Sequence, residues 1–309
     1  MQVDECVKPA DLVPAIERLW ELSAAKITAI ERRLGEDDAS PVFTVEGHYT
    51  AKGWTDWTQG FQFGSALLQF DATGDAEFLR IGTTNTLRRM PAHVTHFGVH
   101  DHGFNNISTY GALWRLMAEE RISDEHRGVC ELALRCSGAV QARRWTRTAD
   151  GGGFVHSFNG PHSLFVDTVR SMRSLGTAHM LGQVLVGEQD MRISLLDRLC
   201  DHLTATAKWS VYYGEGRDVY DIRGRTAHEA IFNPVNGVYR CPGTQQGFSP
   251  FTTWTRGLAW AMCGFAEELE YLTEAIGTGR TDMDSVVQAA DRAAEATCDF
   301  YLENTAADG

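Results

Sequence analysis

The segment HVTHFGVHDHGF (93–104) gathers four histidines around one acid, Asp101. The four are His93, His96, His100 and His102. A zinc site takes three or four nitrogen or sulfur ligands, and helical sites space them as His96 and His100 are spaced. Glycines interrupt any helix here, however, and no cysteine pair or carboxylate group with ligand spacing lies nearby. We therefore expect no metal and no cofactor, polar loop positions for His93 and His96, and a pocket lining for His100 and His102.

Asp101 and Asp167 each stand at the start of a predicted helix. Two carboxylates that converge in an apolar cavity repel each other, so the pair retains one proton easily and keeps an acid available at neutral pH. Aspartate at a helix start is also the ordinary N-terminal cap, whose side chain accepts a hydrogen bond from a backbone N–H. The sequence leaves both interpretations open.

Aromatic side chains cluster near the predicted helix ends, at Trp54, Trp57, Phe61, Trp254 and Trp260. Their flat apolar faces suit the C–H surfaces of sugar rings, and the indole N–H adds a donor; core packing is the alternative. Arg256 lies among them, and its planar guanidinium matches the geometry of a carboxylate. Arg170 and Arg173 could pair with a carboxylate too, but we favour a solvated helix face for them.

The elements that must position these residues are mostly helices, because apolar residues recur at helical spacing between capping residues and glycines. The predicted helices are 11–34, 58–71, 75–90, 104–120, 123–146, 163–182, 188–208, 255–273 and 282–303. A hairpin is predicted at 229–240, where Asn236-Gly237 is a typical turn, and mobile loops at 148–162 and 209–225. Amphipathic helices alternate with helices that begin in aromatic and polar clusters, which is typical of an all-α, α/α toroid.

The length, composition and net charge of the chain exclude several classes of protein. The chain has 309 residues, 43% of them hydrophobic, and no linker divides it, so we predict a single domain over 1–309. A net charge of −13 argues against nucleic acid or an anionic membrane as a partner. The chain shows no signal peptide or membrane span, and its seven cysteines are scattered, so we expect reduced thiols and a cytoplasmic location. Nucleophile-elbow, P-loop and dinucleotide-binding motifs are absent from the sequence.

Five stretches resemble one known family, the unsaturated glucuronyl hydrolases of glycoside hydrolase family 88. They are WTQGF (57–61), HDHGF (100–104), FVDTVRS (165–171), AHEAIFNPVNGVYR (227–240) and TQQGFSPFTTWTRGLAWAMCGFAEELEYL (244–272). The last is the most specific, because the family shows there Gln-Gly-aromatic followed by Trp-x-Arg-Gly-x-x-Trp. Family 105, the unsaturated rhamnogalacturonyl hydrolases, is a near neighbour with the same fold and acid.

The resemblance implies an (α/α)6 barrel and an unusual hydrolysis. The substrate is an oligosaccharide left by a polysaccharide lyase, with a 4,5-unsaturated uronic acid at its non-reducing end. Asp167 protonates C4 of this enol ether, positive charge develops at C5 and the ring oxygen, and Asp167 then assists the attack of water on C5. The resulting hemiketal opens and releases the remaining sugar, so the rule that links carboxylate separation to retention or inversion does not apply.

The resemblance also implies roles for the other residues. Asp101 positions and tunes Asp167 and contacts sugar hydroxyls. The substrate-binding residues are His100, His228, Gln246, Trp254 and Arg256, together with the aromatic walls Trp57, Phe61 and Trp260. No metal is needed.

Two alternatives stay open beside this activity and its family 105 variant. An α/α-barrel sugar epimerase or isomerase could use His100 and His228 for proton transfer. A carbohydrate-binding protein could keep the aromatic residues without turnover. Because the predicted helices are fewer than an (α/α)6 barrel contains, we also expect further residues or a second copy of the chain to complete the barrel.

Overall fold

Helices and short hairpins make up the structure, a computed structural model that describes residues 6–34, 40–52, 57–275 and 283–306. The described residues form two compact units. The N-terminal unit draws on Val3–His96 and Phe104–Ser137, and the C-terminal unit draws on Phe97–Gly103 and Gly138–Gly309. The assignment of 1–309 to a single domain stays a prediction. Among the residues described, no helix combines the length and the apolar character that crossing a membrane requires.

The N-terminal unit is built from helices and one hairpin. Its helices are α1 Val13–Leu34, α2 Thr58–Thr73, α3 Ala76–Arg89, α4 Pro91–Val94, α5 His102–Asn106, α6 Ala112–Ala118 and α7 Arg127–Arg143, of which α5 and α7 also contribute residues to the C-terminal unit. The hairpin pairs β1 Ser40–Val45 with β2 His48–Lys52. An apolar core joins α1, α2, α3 and α6 through Ile27, Ala66, Phe70, Phe78, Ile81 and Leu116.

The C-terminal unit combines helices with three small antiparallel sheets. Its helices are α8 Thr168–Ser171, α9 Arg173–Met180, α10 Leu195–Trp209, α11 Thr255–Glu270 and α12 Asp284–Asn304. Its strands are β3 Trp145–Arg147, β4 Gly153–Val155, β5 Ser163–Phe165, β6 Leu185–Val186, β7 Arg192–Ile193, β8 Glu229–Phe232 and β9 Tyr239–Gly243. These strands pair as β3–β4, β6–β7 and β5–β8–β9. The helices bury one continuous core that includes Val169, Leu175, Leu199, Phe265 and Ala293.

Most predicted helices are confirmed within a few residues, and so is the hairpin, whose strands β8 and β9 flank Gly237 with φ of +70°. That left-handed backbone is the reason for a glycine at the turn. The predicted helix 104–120 is interrupted by a π-helical turn at Ile107–Gly111. The first residue of the predicted helix 282–303 and Trp54 both lie outside the described residues.

The prediction of one helix over 163–182 is wrong at its start. Residues Ser163–Phe165 form β5, and the helix begins only at Thr168 and bends at Met172. The run SLFV is a short apolar stretch, and periodicity cannot distinguish a buried strand from a helix in so few residues. The predicted helices 123–146 and 188–208 are likewise too long, because Trp145–Arg147 and Arg192–Ile193 are strands.

Candidate active site

Asp101 and Asp167 converge on one imidazole in the C-terminal unit. Nε2 of His100 lies 3.6 Å from Oδ1 of Asp101 and 3.4 Å from Oδ1 of Asp167. All three side chains are buried. Asp167 directly precedes α8, but its side chain makes no capping hydrogen bond. The helix-cap interpretation therefore does not account for Asp167.

The pairing of β5 with β8 places Asp167 beside His228. The two strands are antiparallel, and the N–H of Val166 donates to the carbonyl oxygen of His228 at 3.0 Å. The ring of Phe165 contacts both histidines, with ring centroids 5.5 Å from His100 and 4.6 Å from His228. The strand that the sequence did not predict is thus the element that brings Asp167, His100 and His228 together.

A buried polar network holds the His100–Gly103 segment against α8. Ser171 Oγ donates to the carbonyl oxygen of His100 at 2.7 Å, and Gln141 Nε2 donates to the same oxygen at 3.0 Å. The N–H of Gly103 donates to Ser171 Oγ at 2.8 Å. A Cβ at position 103 would lie 2.4 Å from the backbone oxygen of Ser171, so this close approach requires glycine. The glycine of HDHGF therefore fixes Asp101 relative to the helix that follows Asp167.

His100 is subject to two opposing effects. Burial lowers its pKa, the carboxylates of Asp101 and Asp167 raise it, and the net direction is upward. A second proton would have to occupy Nδ1, which accepts a hydrogen bond from the N–H of Phe158 at 3.2 Å. Two facing N–H groups repel each other, so this hydrogen bond favours the neutral ring with its proton on Nε2. The carboxylates and the backbone donor thus favour different protonation states.

For His228, the hydrogen bonds and the pKa both favour a neutral ring. Its Nδ1 accepts hydrogen bonds from the N–H groups of Gln245 at 3.1 Å and Gln246 at 3.3 Å. Burial lowers its pKa. Its Nε2 is buried and makes no hydrogen bond. An Nε2–H group without an acceptor is a donor that a bound ligand can use.

Gln246, Trp254 and Arg256 form a second cluster beside His228. The ring centroid of Trp254 is 4.2 Å from that of His228, and the Arg256 guanidinium lies 4.8 Å from the Trp254 ring centroid. Arg256 also donates to Oε1 of Gln246. Trp254 is buried, whereas Gln246 and Arg256 are exposed, and Trp260 on α11 is half-buried. The predicted uronate-binding residues are therefore brought together, with the cation on the exposed side.

Trp57 and Phe61 belong to the N-terminal unit, where they pack with Phe104. The ring centroids lie 5.8 to 6.1 Å apart. Phe104 is buried and the other two are half-buried, so this cluster combines core packing with accessible aromatic surface.

The remaining histidines of the 93–104 segment take different positions. His93 is buried, with Nε2 2.7 Å from Oε1 of Gln59 and Nδ1 3.1 Å from Nδ2 of Asn105. The expectation that His93 is a loop residue is therefore wrong, because it links α2, α4 and α5. His96 is half-buried and His102 is buried. Within the described ranges, no group of three or more histidine, cysteine or acidic side chains is arranged to hold a metal ion.

Arg170 does not lie on the solvated helix face that we expected, whereas Arg173, with 38% of its side chain exposed, does so in part. Nε of Arg170 is 2.8 Å from Oε2 of Glu267, and Arg173 is 3.4 Å from Oε1 of the same residue. The Arg170 side chain is only 11% exposed. These arginines therefore pair with a carboxylate of α11.

Sequence reasoning missed Phe158 and Arg144. Phe158 stacks on His100 with ring centroids 6.0 Å apart, and half of its surface is exposed. Arg144 is buried and donates to three carbonyl oxygens, those of Phe97, His156 and Ser157. It anchors the 156–158 segment, which belongs to the stretch 148–162 that the sequence presented as a mobile loop. An arginine at a predicted helix end gave no signal for this role.

Curated relatives of the chain are hydrolases of unsaturated saccharides. It is 26% identical over 268 residues to the unsaturated glucuronyl hydrolase of Bacillus sp. (strain GL1), covering 83% of this chain and 64% of that protein. It is 24% identical over 246 residues to the unsaturated chondroitin disaccharide hydrolase of Streptococcus pyogenes serotype M1, covering 77% of this chain and 54% of that protein. The chain thus spans between about half and two thirds of the length of these relatives.

Solved structures show the same fold. The crystal structure of the Bacillus sp. GL1 unsaturated glucuronyl hydrolase aligns with a TM-score of 0.69 at 22% identity, covering 94% of this chain and 69% of that one. An unsaturated glucuronyl hydrolase specific for heparin aligns with a TM-score of 0.70 at 17% identity, over the same shares. The prediction of a mostly helical chain of the α/α-barrel class is confirmed. Since the sequence model of Glycosyl Hydrolase Family 88 also matches residues 40–297, well over half of the chain, this protein belongs to that family.

Proposed function

We propose that the protein hydrolyses oligosaccharides that carry a 4,5-unsaturated uronic acid at the non-reducing end. The observation that carries the proposal is the convergence of Asp101 and Asp167 on Nε2 of His100, within 3.6 Å. Two carboxylates that share one buried imidazole form a group that can hold a proton and pass it on. A protonated carboxyl group is what the first step of the reaction requires.

Asp167 is the acid in this proposal. It delivers its proton to C4 of the enol ether, and the electron pair of the C4=C5 bond forms the new C–H bond. Positive charge develops at C5 and is shared with the ring oxygen. Asp167, now a carboxylate, accepts a proton from the water that attacks C5, which restores the acid. The hemiketal formed at C5 opens and the saccharide at C1 is released.

The second cluster, beside His228, supports the proposal that the protein binds the uronate carboxylate. The Nε2–H of His228 is a buried donor without an acceptor, and Arg256 is an exposed cation 4.8 Å from the Trp254 ring centroid. A carboxylate that accepts from an arginine fork forms a strong, charge-assisted interaction. The aromatic rings of Trp254 and Trp260 supply the apolar contact that a sugar ring needs. Trp57 and Phe61 stay predicted as further aromatic walls.

The histidine hydrogen bonds argue against a sugar epimerase. A histidine that removes a proton from carbon needs an unprotonated nitrogen directed at the substrate. In both His100 and His228 the acceptor nitrogen is Nδ1, and a backbone N–H occupies it. The nitrogen left for a ligand is Nε2, which carries the proton and therefore donates.

The direct test is turnover of disaccharides generated by polysaccharide lyases. Their conjugated C4=C5 bond absorbs ultraviolet light, and hydration removes that absorbance. We expect the absorbance to fall with enzyme and to persist with Asp167→Asn. A panel of chondroitin, heparin and rhamnogalacturonan products then separates the family 88 from the family 105 activity. Binding without any loss of absorbance would favour the carbohydrate-binding alternative.

A further inference from the structure

We infer that His100 is a positioning residue, a neutral imidazole fixed with its proton on Nε2, which donates a hydrogen bond to Asp101 and to Asp167 in turn. This inference rests on the proposed function for its catalytic meaning. The distances that support it are between atoms of the protein and do not depend on a bound substrate. It gives His100 a role that requires neither contact with the sugar nor transfer of a proton.

The fixed orientation comes from the backbone. Nδ1 accepts from the N–H of Phe158 at 3.2 Å, and the Phe158 ring stacks on the imidazole. The 156–158 segment is itself anchored, because buried Arg144 donates to the carbonyl oxygens of His156 and Ser157. Because this anchor holds the Phe158 N–H in place, a second ring proton on Nδ1 would face that donor directly. The single ring proton therefore resides on Nε2.

Nε2 of His100 lies between the two carboxylates, so both are within reach of its N–H group. Its distances to the two carboxylate oxygens differ by a small margin, 3.4 Å to Asp167 and 3.6 Å to Asp101. Neither Nε2 of His100 nor Oδ1 of Asp167 makes a hydrogen bond of good geometry in this state. One proton can serve only one acceptor at a time. Active-site hydrogen bonds that are long without substrate commonly shorten when it binds.

The two carboxylates differ in the charge that surrounds them. The Arg144 guanidinium interacts electrostatically with Asp101, which favours the anion on that side. Without substrate, Nε2 of His100 lies within reach of both carboxylates and makes a full hydrogen bond to neither. When Asp167 has protonated C4 and become the anion, the same N–H turns to it. The hydrogen bond thus follows the negative charge through the cycle, and no proton leaves the ring.

Burial and the Arg144 guanidinium lower the pKa of His100, whereas the carboxylates of Asp101 and Asp167 raise it. His156 has a pKa lowered to about 4 and His202 one lowered to about 3, in both cases mainly by burial. His228 also has a lowered pKa. Three neighbouring histidines are therefore neutral at pH 7, and the cation near His100 is Arg144. An additional positive charge on His100 would face that guanidinium.

Nitrogen NMR of the histidine-labelled protein without substrate tests the inference. We expect His100 to show one protonated and one unprotonated ring nitrogen, with the proton on Nε2, between about pH 7 and pH 8. His202 is an internal reference in the same spectrum, because its Nδ1 also accepts from a backbone N–H, that of Val155 at 3.1 Å. His100→Gln assigns the signals. A doubly protonated His100 at pH 7, or a proton on Nδ1, would overturn the inference and leave the proposed hydrolysis untouched.

Kinetics supply a second readout. Glutamine keeps a neutral N–H donor near the position of Nε2, whereas leucine has none. We expect His100→Leu to lower kcat on the order of 10- to 100-fold with little change in KM, and His100→Gln to recover most of that loss. The pH–rate profile of His100→Gln should keep both limbs. Loss of one limb in that variant would mean that His100 itself titrates during the reaction. Thermal melting of both variants controls for misfolding.

Discussion

The C-terminal unit contains two groups of carboxylates, around Asp167 and around Glu267, with opposite surroundings. Glu267 on α11 is paired with Arg170 at 2.8 Å and Arg173 at 3.4 Å. Asp167, three residues before Arg170, lies 3.4 Å from Nε2 of His100, and Asp101 lies 3.6 Å from the same nitrogen. Among the described residues no arginine forms an ion pair with Asp167.

Glu267 has a structural role in these surroundings, and Asp167 is the proposed acid. Burial raises the pKa of Glu267 and the arginines oppose that shift, and the ion pair with Arg170 cross-links α8 and α11. Asp167 lies instead beside the imidazole that a second carboxylate also faces. The same chemical group therefore has cationic partners in one cluster and, in the described part of the chain, none of that kind in the other. Carboxyl-to-amide substitutions in the two clusters should have opposite consequences.

The largest effect is expected for Asp167→Asn. The amide keeps the shape of the side chain but cannot deliver a proton, so kcat should fall by roughly 10²–10⁴ or more. The melting temperature should not fall, because the substitution removes repulsion between Asp101 and Asp167. Steady-state kinetics and calorimetry measure both. Asp291→Asn on the exposed face of α12 is the matched control and should retain wild-type kcat. An active Asp167→Asn enzyme would remove the distinction between the clusters.

Arg256→Ala should have the next largest effect, confined to substrate binding. Loss of a charge-assisted hydrogen bond to the uronate costs about 1.5–3 kcal/mol, which corresponds to a roughly 10- to 100-fold rise in KM. Arg256→Lys should recover little, because lysine lacks the fork that matches a carboxylate. Unchanged kinetics in Arg256→Ala would place the uronate elsewhere.

Glu267→Gln should lower stability and leave kcat unchanged, the reverse of what we expect for Asp167→Asn. The Arg170 side chain, 11% exposed, would lose the partner that compensates its burial. We expect the free energy of unfolding to fall by about 1–3 kcal/mol, less than for a fully buried pair because the Glu267 side chain is 30% exposed. Chemical denaturation measures the loss, and kcat of the folded protein should be unchanged. A drop in kcat without a drop in stability would contradict the structural role.

Glu268→Gln should give the smallest effect, and with the opposite sign. Glu268 is fully buried, and burial raises its pKa to about 8 from an ordinary value of 4.5. The folded protein therefore binds more protons than the unfolded chain between these values, and stability falls as pH rises through that window. Glutamine cannot ionise, so the variant should be more stable by about 1–2 kcal/mol at pH 7 and above. Equal slopes of stability against pH in both proteins would show that Glu268 does not titrate there.

Motifs with fixed spacing identified the residues of the candidate site but not the elements that assemble them. HDHGF pointed to Asp101 and its neighbours, and Gly103 in that motif proved to be required by the backbone of Ser171. Periodicity located the helices because their apolar faces repeat over many residues. Strand β5 was missed because three residues carry too little periodic signal, and its partner β8 lies far along the chain. Phe158 and Arg144 were missed because their roles depend on tertiary hydrogen bonds that no local pattern encodes.

The central claim, that Asp167 transfers a solvent-derived proton to C4, is tested most directly by the reaction in heavy water. Nuclear magnetic resonance of the product at early times should show one deuterium at C4, introduced at the rate at which the ultraviolet absorbance disappears. Product formed in ordinary water and then moved to heavy water controls for later exchange beside the C5 carbonyl. Asp167→Asn should introduce no deuterium over the same interval. Product that carries only ordinary hydrogen at C4, or deuterium incorporation at the wild-type rate by Asp167→Asn, would contradict the account.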